Sequence, residues 1–287
     1  MRATLSITIA IWALSFLLPA SGLAETGRPQ LWFEVGEELH YRIYWGVIYV
    51  GDSHVTTEWI EEDGRTLLRI RYRTRSNSFL DRIYPVDDTI EAVIEPHSFL
   101  PVRFEKRLSE GRYRADEVTV FDHAAGKAYW TNRRKNITKE FDIEPDTRDI
   151  VTFMYFMRQR EFLPGEEASF RVMADEKIYD LFIKAGPVET LSMPKYGKVK
   201  SIRIVPEAAF QGLFVRKGRM TLWVSQDARR VATRIQASVP VANVHVNLYQ
   251  VRGPGNDFWV QGGSKWAEDG AGGDARRPET EDLAHVD

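Results

Sequence analysis

The sequence contains no cysteine. Disulfide staples, thiolate nucleophiles and cysteine metal sites are thereby excluded, and stability has to come from an ordinary apolar core. Histidine is sparse and scattered. His40, His54, His97, His123 and His245 show no HxH, HxxxH or HExxH spacing, so nothing marks a zinc site. There is no GxSxG, no SxxK beside a plausible partner, and no glycine-rich loop opening a helix to cradle phosphates. Acidic pairs are present but poorly placed. Asp87 and Asp88, followed by Glu91, would point to opposite faces of a strand, and Glu61-Glu62-Asp63 reads as a turn. Neither offers the two facing carboxylates that sugar hydrolysis needs. The expectation is therefore no catalytic residue, no metal and no cofactor.

Strong charge of one sign is also missing, although the charges are unevenly placed. The whole chain carries a net −2. From Gly253 onward three basic residues stand against eight acidic ones, a net −5, and Arg2 contributes +1 at the start, which leaves +2 for Glu25 to Arg252. Such a balance is not that of a nucleic-acid binder. The chain opens with Arg2, an apolar run from about Leu5 to Leu18, Pro19, and small residues at Gly22 and Ala24. That is the pattern of a secretory signal peptide over residues 1–24, cleaved after about Ala24. The run is short for a membrane span, so export to the periplasm is expected, with no transmembrane segment left after cleavage. Residues 253–287 are rich in glycine and acid and without periodicity, which predicts a disordered acidic tail. Phe258, Trp259 and Trp266 are unusual in such a tail and suit docking on the body or on a partner.

Between these ends the period is two nearly everywhere. LHYRIYW, HVTTEWI, TLLRIRYRT, TIEAVIE, VRFEKRL, EVTVFD, ASFRVM, DLFIKA, KSIRIV, MTLWVS and VHVNLYQV read as short strands. Turn signals separate them at Asp63-Gly64, Glu110-Gly111, Ala125-Gly126, Tyr196-Gly197 and Lys217-Gly218. One segment breaks the rule. After a capping Asp146 or Thr147, the residues Ile150, Val151, Met154, Tyr155 and Met157 recur at helical spacing, which predicts a helix near 148–160. Two internal matches suggest duplication. FEVGEELHYR (33–42) resembles FLPGEEASFR (162–171), and EPHSFLPVRFE (95–105) resembles SQDARRVATRIQA (225–237), at offsets of 129 and 131 residues. The expected architecture is all-β and mainly antiparallel. It is an open or spiralling barrel-like sheet in one domain, 25–252, built from two meandering halves, 33–145 and 162–252, joined by the helix.

Three phrases carry a family resemblance: FEVGEELHYRIYWGVIYVGDSHV, RDIVTFMYFMRQREFLPGEE and GRMTLWVSQDARRVATRIQA. Their anchors are Gly51, the pair Tyr155 and Arg158, and the pair Asp227 and Arg230. With them the chain resembles the domain-of-unknown-function 3108 family of exported proteins from Gram-negative bacteria, from about Phe33 to Val251. One departure is Ala232, where members often carry proline. The resemblance implies a periplasmic, mostly β protein and no established activity, so it supplies no catalytic residues.

What remains is LRIRYRTR, with Arg69, Arg71, Arg73 and Arg75 on alternate positions. A two-residue turn at Asp63-Gly64 sets Arg69 opposite Glu58, Arg71 opposite Thr56, Arg73 opposite His54 and Arg75 opposite Asp52. The other face then pairs Trp59 with Leu68, Thr57 with Ile70 and Val55 with Tyr72. Glu58 and Asp52 neutralise two of the arginines, while Arg71 and Arg73 have no acid opposite. The row is thus either a solvated face or a surface for phosphate, carboxylate or sulfate groups, which suit the planar guanidinium fork. The role expected from all this is non-enzymatic binding or scaffolding of a cell-envelope component, whether lipid, glycan or envelope protein. The alternatives are a hydrolase acting on an envelope polymer and a structural subunit of an envelope complex.

Overall fold

In the computed structural model, residues 28–174, 176–208, 220–238 and 243–254 are described. The signal-like start, the turn at Lys217-Gly218, the acidic tail and its aromatics lie outside these residues. Among the described residues fifteen strands form one sheet. They are β1 (Glu38–Trp45), β2 (Ile48–Glu62), β3 (Arg65–Ser76), β4 (Asp87–Glu95), β5 (Leu100–Glu110), β6 (Tyr113–Asp122), β7 (Lys127–Asn132), β8 (Ile137–Asp142), β9 (Arg148–Asp149), β10 (Glu167–Ala174), β11 (Lys177–Met193), β12 (Gly197–Ala208), β13 (Met220–Ser225), β14 (Ala232–Ser238) and β15 (Asn243–Arg252).

The order runs from β8 down to β1, crosses to β15, and continues down to β9. Each neighbouring pair is antiparallel except β9 with β10. The sheet is open, with β8 and β9 as its edges, so the expected all-β, mainly antiparallel and barrel-like architecture is what forms. The reason lies in the alternation: most strands have one apolar face, and a long twisted sheet curls to bury that face against itself. β8 was not marked by periodicity. Five of its six residues are exposed, so it carries no buried face to leave a pattern.

The helix is shorter than its apolar spacing predicts. α1 spans Ile150–Phe156 and runs on into a 3-10 turn at Met157–Gln159, while Arg148 and Asp149 are strand. The capping residue is Asp149 rather than Asp146 or Thr147. Its carboxylate accepts from the backbone N–H of Val151 at 2.8 Å and of Thr152 at 2.9 Å, which sets where the helix starts. Thr147 closes the preceding turn instead, its hydroxyl accepting from Glu144 N at 3.0 Å.

α1 lies inside the curl and serves two apolar clusters. Val151 and Tyr155 pack with Phe33, Phe99, Ile70 and Leu248, while Phe153 packs with Phe162, Leu181, Ile202 and Leu222. The segment before β1 closes one end of the interior. There Trp32 donates from Nε1 to Tyr155 O at 2.8 Å and its ring meets Phe99 at 4.4 Å.

The matched sequence phrases adopt matched turns. Gly36 (φ 103) and Gly165 (φ 87) both take the left-handed backbone. Gly36 N donates to Thr57 O and Gly165 N to Ala185 O, and the next residues, Glu37 and Glu166, accept back from Thr57 N and Ala185 N. In the second pair of phrases, Phe99 (φ 52) and Arg230 (φ 46) both hold a positive φ just before the following strand.

Candidate functional site

The arginine row sits where the hairpin register places it. Asp63 and Gly64 form the turn, and β2 pairs with β3 as expected from Glu62↔Arg65 to Asp52↔Arg75. The second neighbour of β3 was not legible from the hairpin alone. β4 sets Glu91 beside Arg71, Thr89 beside Arg73 and Asp87 beside Arg75. Arg71 Nε donates to Glu91 at 2.7 Å, and Arg69 Nε donates to Glu58 at 2.8 Å. Asp87 serves both Arg73 at 3.5 Å and Arg75 at 3.2 Å. Asp52, expected to pair with Arg75, is instead held by His40 at 2.7 Å and by the Tyr49 hydroxyl. All four guanidiniums therefore have a carboxylate within reach. They lie on the outer face, where each such pair contributes about 0.2–1 kcal/mol. Any anion bound there has to displace Glu91 and Asp87.

The residues of the recurring phrases converge instead on the interior. Glu37 is fully buried. Arg158 donates to it twice, from Nη1 at 2.7 Å and Nη2 at 3.0 Å, and Arg229 donates from Nη2. Arg158 Nε also donates to Arg229 O at 2.9 Å. This cluster ties the start of β1 to the end of α1 and to the β13–β14 turn. Burial opposes the charge on Glu37, but the two guanidiniums prevail and hold its carboxyl below the ordinary carboxylate range. Burial likewise opposes the charge on Arg158, and Glu37 more than offsets it. Removing one partner of such a cluster costs about 3–5 kcal/mol, because a buried charge loses its counter-charge.

Above the cluster lies a cavity of about 70 Å³. Leu39 and Tyr41 of β1, Tyr72 of β3, Met154 of α1 and Leu222 of β13 line it, with Arg158 and Arg230 as its charged residues. Pro206 of β12 and Met220 of β13 also line it. Burial pushes the hydroxyls of Tyr41, Tyr72 and Tyr155 above the ordinary phenol value. The Tyr155 hydroxyl has no hydrogen-bond partner among the protein atoms described. An unsatisfied buried hydroxyl costs about 1–3 kcal/mol, so an incoming acceptor would offset that cost. Arg230 closes this end, its Nη1 donating to Arg158 O at 3.3 Å.

Other constellations are less complete. A wider hollow of about 430 Å³ on the outer face lies over β10 and β11, where Lys184 and Glu167 pair at 2.9 Å. His40 and His54 stack at 4.3 Å. Among the described residues no group of three or more His, Asp or Glu side chains is placed to hold a metal ion. Asp88 does not gather with Asp87 or Glu91. It bonds Ser109 N at 2.8 Å and shares a hydrogen bond with Glu110, whose carboxyl is raised by burial and by the Asp88 charge. That acid pair lines neither cavity.

Comparison with known proteins agrees with the fold and is silent on activity. A family model described as "Protein of unknown function (DUF3108)" matches residues 40–248. No curated protein matches the sequence. Among solved structures, the chain is similar to a beta-barrel-like protein of domain of unknown function DUF1849 from Brucella abortus. The TM-score is 0.53 at 9% identity, over 77% of this chain and 98% of that one.

Proposed function

We propose that this chain, which belongs to the DUF3108 family, is an exported, non-enzymatic protein that binds an envelope molecule through the cavity above Glu37, Arg158 and Arg229. The observation that carries this reading is the chemistry of the cavity wall. It is apolar and aromatic around one orphan hydroxyl, Tyr155, and it contains no nucleophile and no facing carboxylates. A wall of that kind suits an apolar chain ending in a hydrogen-bond acceptor. At about 70 Å³ the space admits the tip of such a chain. An apolar cavity that takes up benzene measures ~150 Å³. Export rests on the signal pattern of residues 1–24. No helix among the described residues is long and apolar enough to cross a membrane.

Native mass spectrometry of the protein purified from the periplasm tests this. The wild type is expected to carry a lipid or lipid-linked glycan, and Ala232→Phe, which fills the cavity from β14, is expected to lose it. A wild type that carries no such ligand and takes up no added fatty acid or phospholipid would sink the reading. So would an Ala232→Phe variant carrying the same load.

A further inference from the structure

Independently of that cavity, we propose that the rim formed by the β1–β2, β3–β4 and β5–β6 connections docks on the surface of an anionic lipid bilayer. Turn tips are ordinarily polar, but these carry large apolar side chains on them or on the strand ends beside them. Trp45, Val47 and Ile48 stand at the first tip, Val47 being 95% exposed. The second connection carries Phe79, Ile83 and Tyr84, with Ile83 71% exposed, and the third carries Tyr113. With Tyr49, eight of the fourteen exposed large apolar side chains among the described residues fall on these three connections and the strand ends beside them. Their clustering marks an interaction surface rather than scattered exposure.

The three tips form one fixed frame. Asn77 N donates to Val50 O at 2.8 Å and Asn77 Nδ2 to Tyr49 O at 2.7 Å, which joins the second connection to the first. Gly111 N donates to Pro85 O at 2.8 Å. The Tyr84 ring lies against Gly111 so closely that an added Cβ would sit 2.5 Å from it, which joins the second connection to the third. The apolar side chains are thus presented together.

Charge selects the partner. Arg82 and Arg112 are exposed in the same connections, and Arg114 beside them at the start of β6. Arg134 and Lys135 are exposed in the β7–β8 turn, which is held against β6 by Arg133 N donating to Asp116 O at 2.8 Å. Of the acids nearby, Asp87 is paired with Arg73 and Arg75, burial and the Asp88 charge favour the protonated form of Glu110, and Asp81, bonded by the Ser76 hydroxyl, stands as a carboxylate against the five cations. Protruding apolar tips, tryptophan and tyrosine behind them, and flanking cations match the interface of an anionic membrane. A second copy of the chain fits less well. A two-fold contact through this rim would bring Arg112, Arg114, Arg134 and Lys135 against their own copies.

The test is co-sedimentation of the exported protein, without residues 1–24, with vesicles of phosphatidylethanolamine and phosphatidylglycerol, compared with vesicles of phosphatidylcholine alone. Wild type is expected to partition onto the anionic vesicles. Val47→Asp with Ile83→Asp should weaken that partition at least about tenfold, since two carboxylates replace inserted apolar groups. Both positions are open to solvent, so folding is unaffected, and circular dichroism checks this. Arg112→Glu with Arg114→Glu should remove the preference for anionic vesicles. The proposal fails if wild type does not sediment with anionic vesicles, or if the Val47/Ile83 pair leaves partition unchanged. It also fails if that pair instead dissociates a dimer in ultracentrifugation with no vesicle binding, which would assign the rim to a second copy. Ala232→Phe should still bind vesicles, which separates this outcome from failure of the cavity reading.

Discussion

Asp149 shows how one residue couples local structure to solution behaviour. It caps α1, and it is completely buried. Burial raises its carboxyl to about 6, although its bonds from Thr152 and Val151 work in the opposite direction. An unfolded aspartate titrates near ~3.9. The folded state therefore holds the proton more tightly. The stability that this proton contributes is fully present below the unfolded value and is lost as pH rises through about 6. Denaturant titrations between about pH 4 and pH 7 should show a loss of stability that Asp149→Asn, which keeps a capping oxygen, largely abolishes. An unchanged pH slope in that variant would remove the assignment. Residue types were a partial guide at this scale. Arg158 and Arg230 stood out in the sequence as motif residues. Their neighbour Glu37 did not, because its partners lie 121 and 192 residues away along the chain.

Among the elements, the β2–β3 hairpin was read from sequence almost completely, since two faces sorted by polarity admit only one register. Its far end explains the glycine of the opening phrase. A Cβ on Gly51 would lie 2.3 Å from the backbone carbonyl oxygen of Arg75, where no side chain can give way. Gly51→Ala should therefore push β2 from β3 and lower stability by about 1–3 kcal/mol, the usual cost of forced overpacking. A denaturation midpoint equal to that of wild type would show that the strands part without cost. The arginine row belongs to the same hairpin, and here hairpin reasoning fell short. A strand inside a sheet has two neighbours, and only the nearer one in sequence follows from a turn signal. β4 supplies Glu91 and Asp87, which neutralise Arg71, Arg73 and Arg75.

For the molecule as a whole, the open sheet has to protect two edges. β8 does so with charge. Lys139, Glu140 and Asp142 stand on it, Lys127 of β7 pairs with Glu140 and Asp142 at 2.7 Å each, and Lys139 reaches Glu176 beyond β10. Charged edges resist pairing with another chain. Replacing Lys139 and Glu140 with valine should leave the fold intact and raise the rate of aggregation measured by light scattering. If the double variant stays as monodisperse as wild type, the edge is protected by something other than its charge.

By itself the sequence determined the all-β class, the place of the α-helix after Asp149, the turns that fall among the described residues and the β2–β3 register. These depend on alternation and turn chemistry within a few residues, which chain order preserves. It also carried the paired phrases at offsets of 129 and 131, the first pair sharing turn hydrogen bonds and a positive φ and the second a positive φ. Only the tertiary structure decided that β1 meets β15, that α1 sits inside the curl, and that Glu37 joins Arg158 to Arg229. It also decided that three apolar tips share one rim. Each of these is a contact between residues distant in sequence, made by a sheet that must curl to bury one face, and no local pattern encodes which strands the curl brings together.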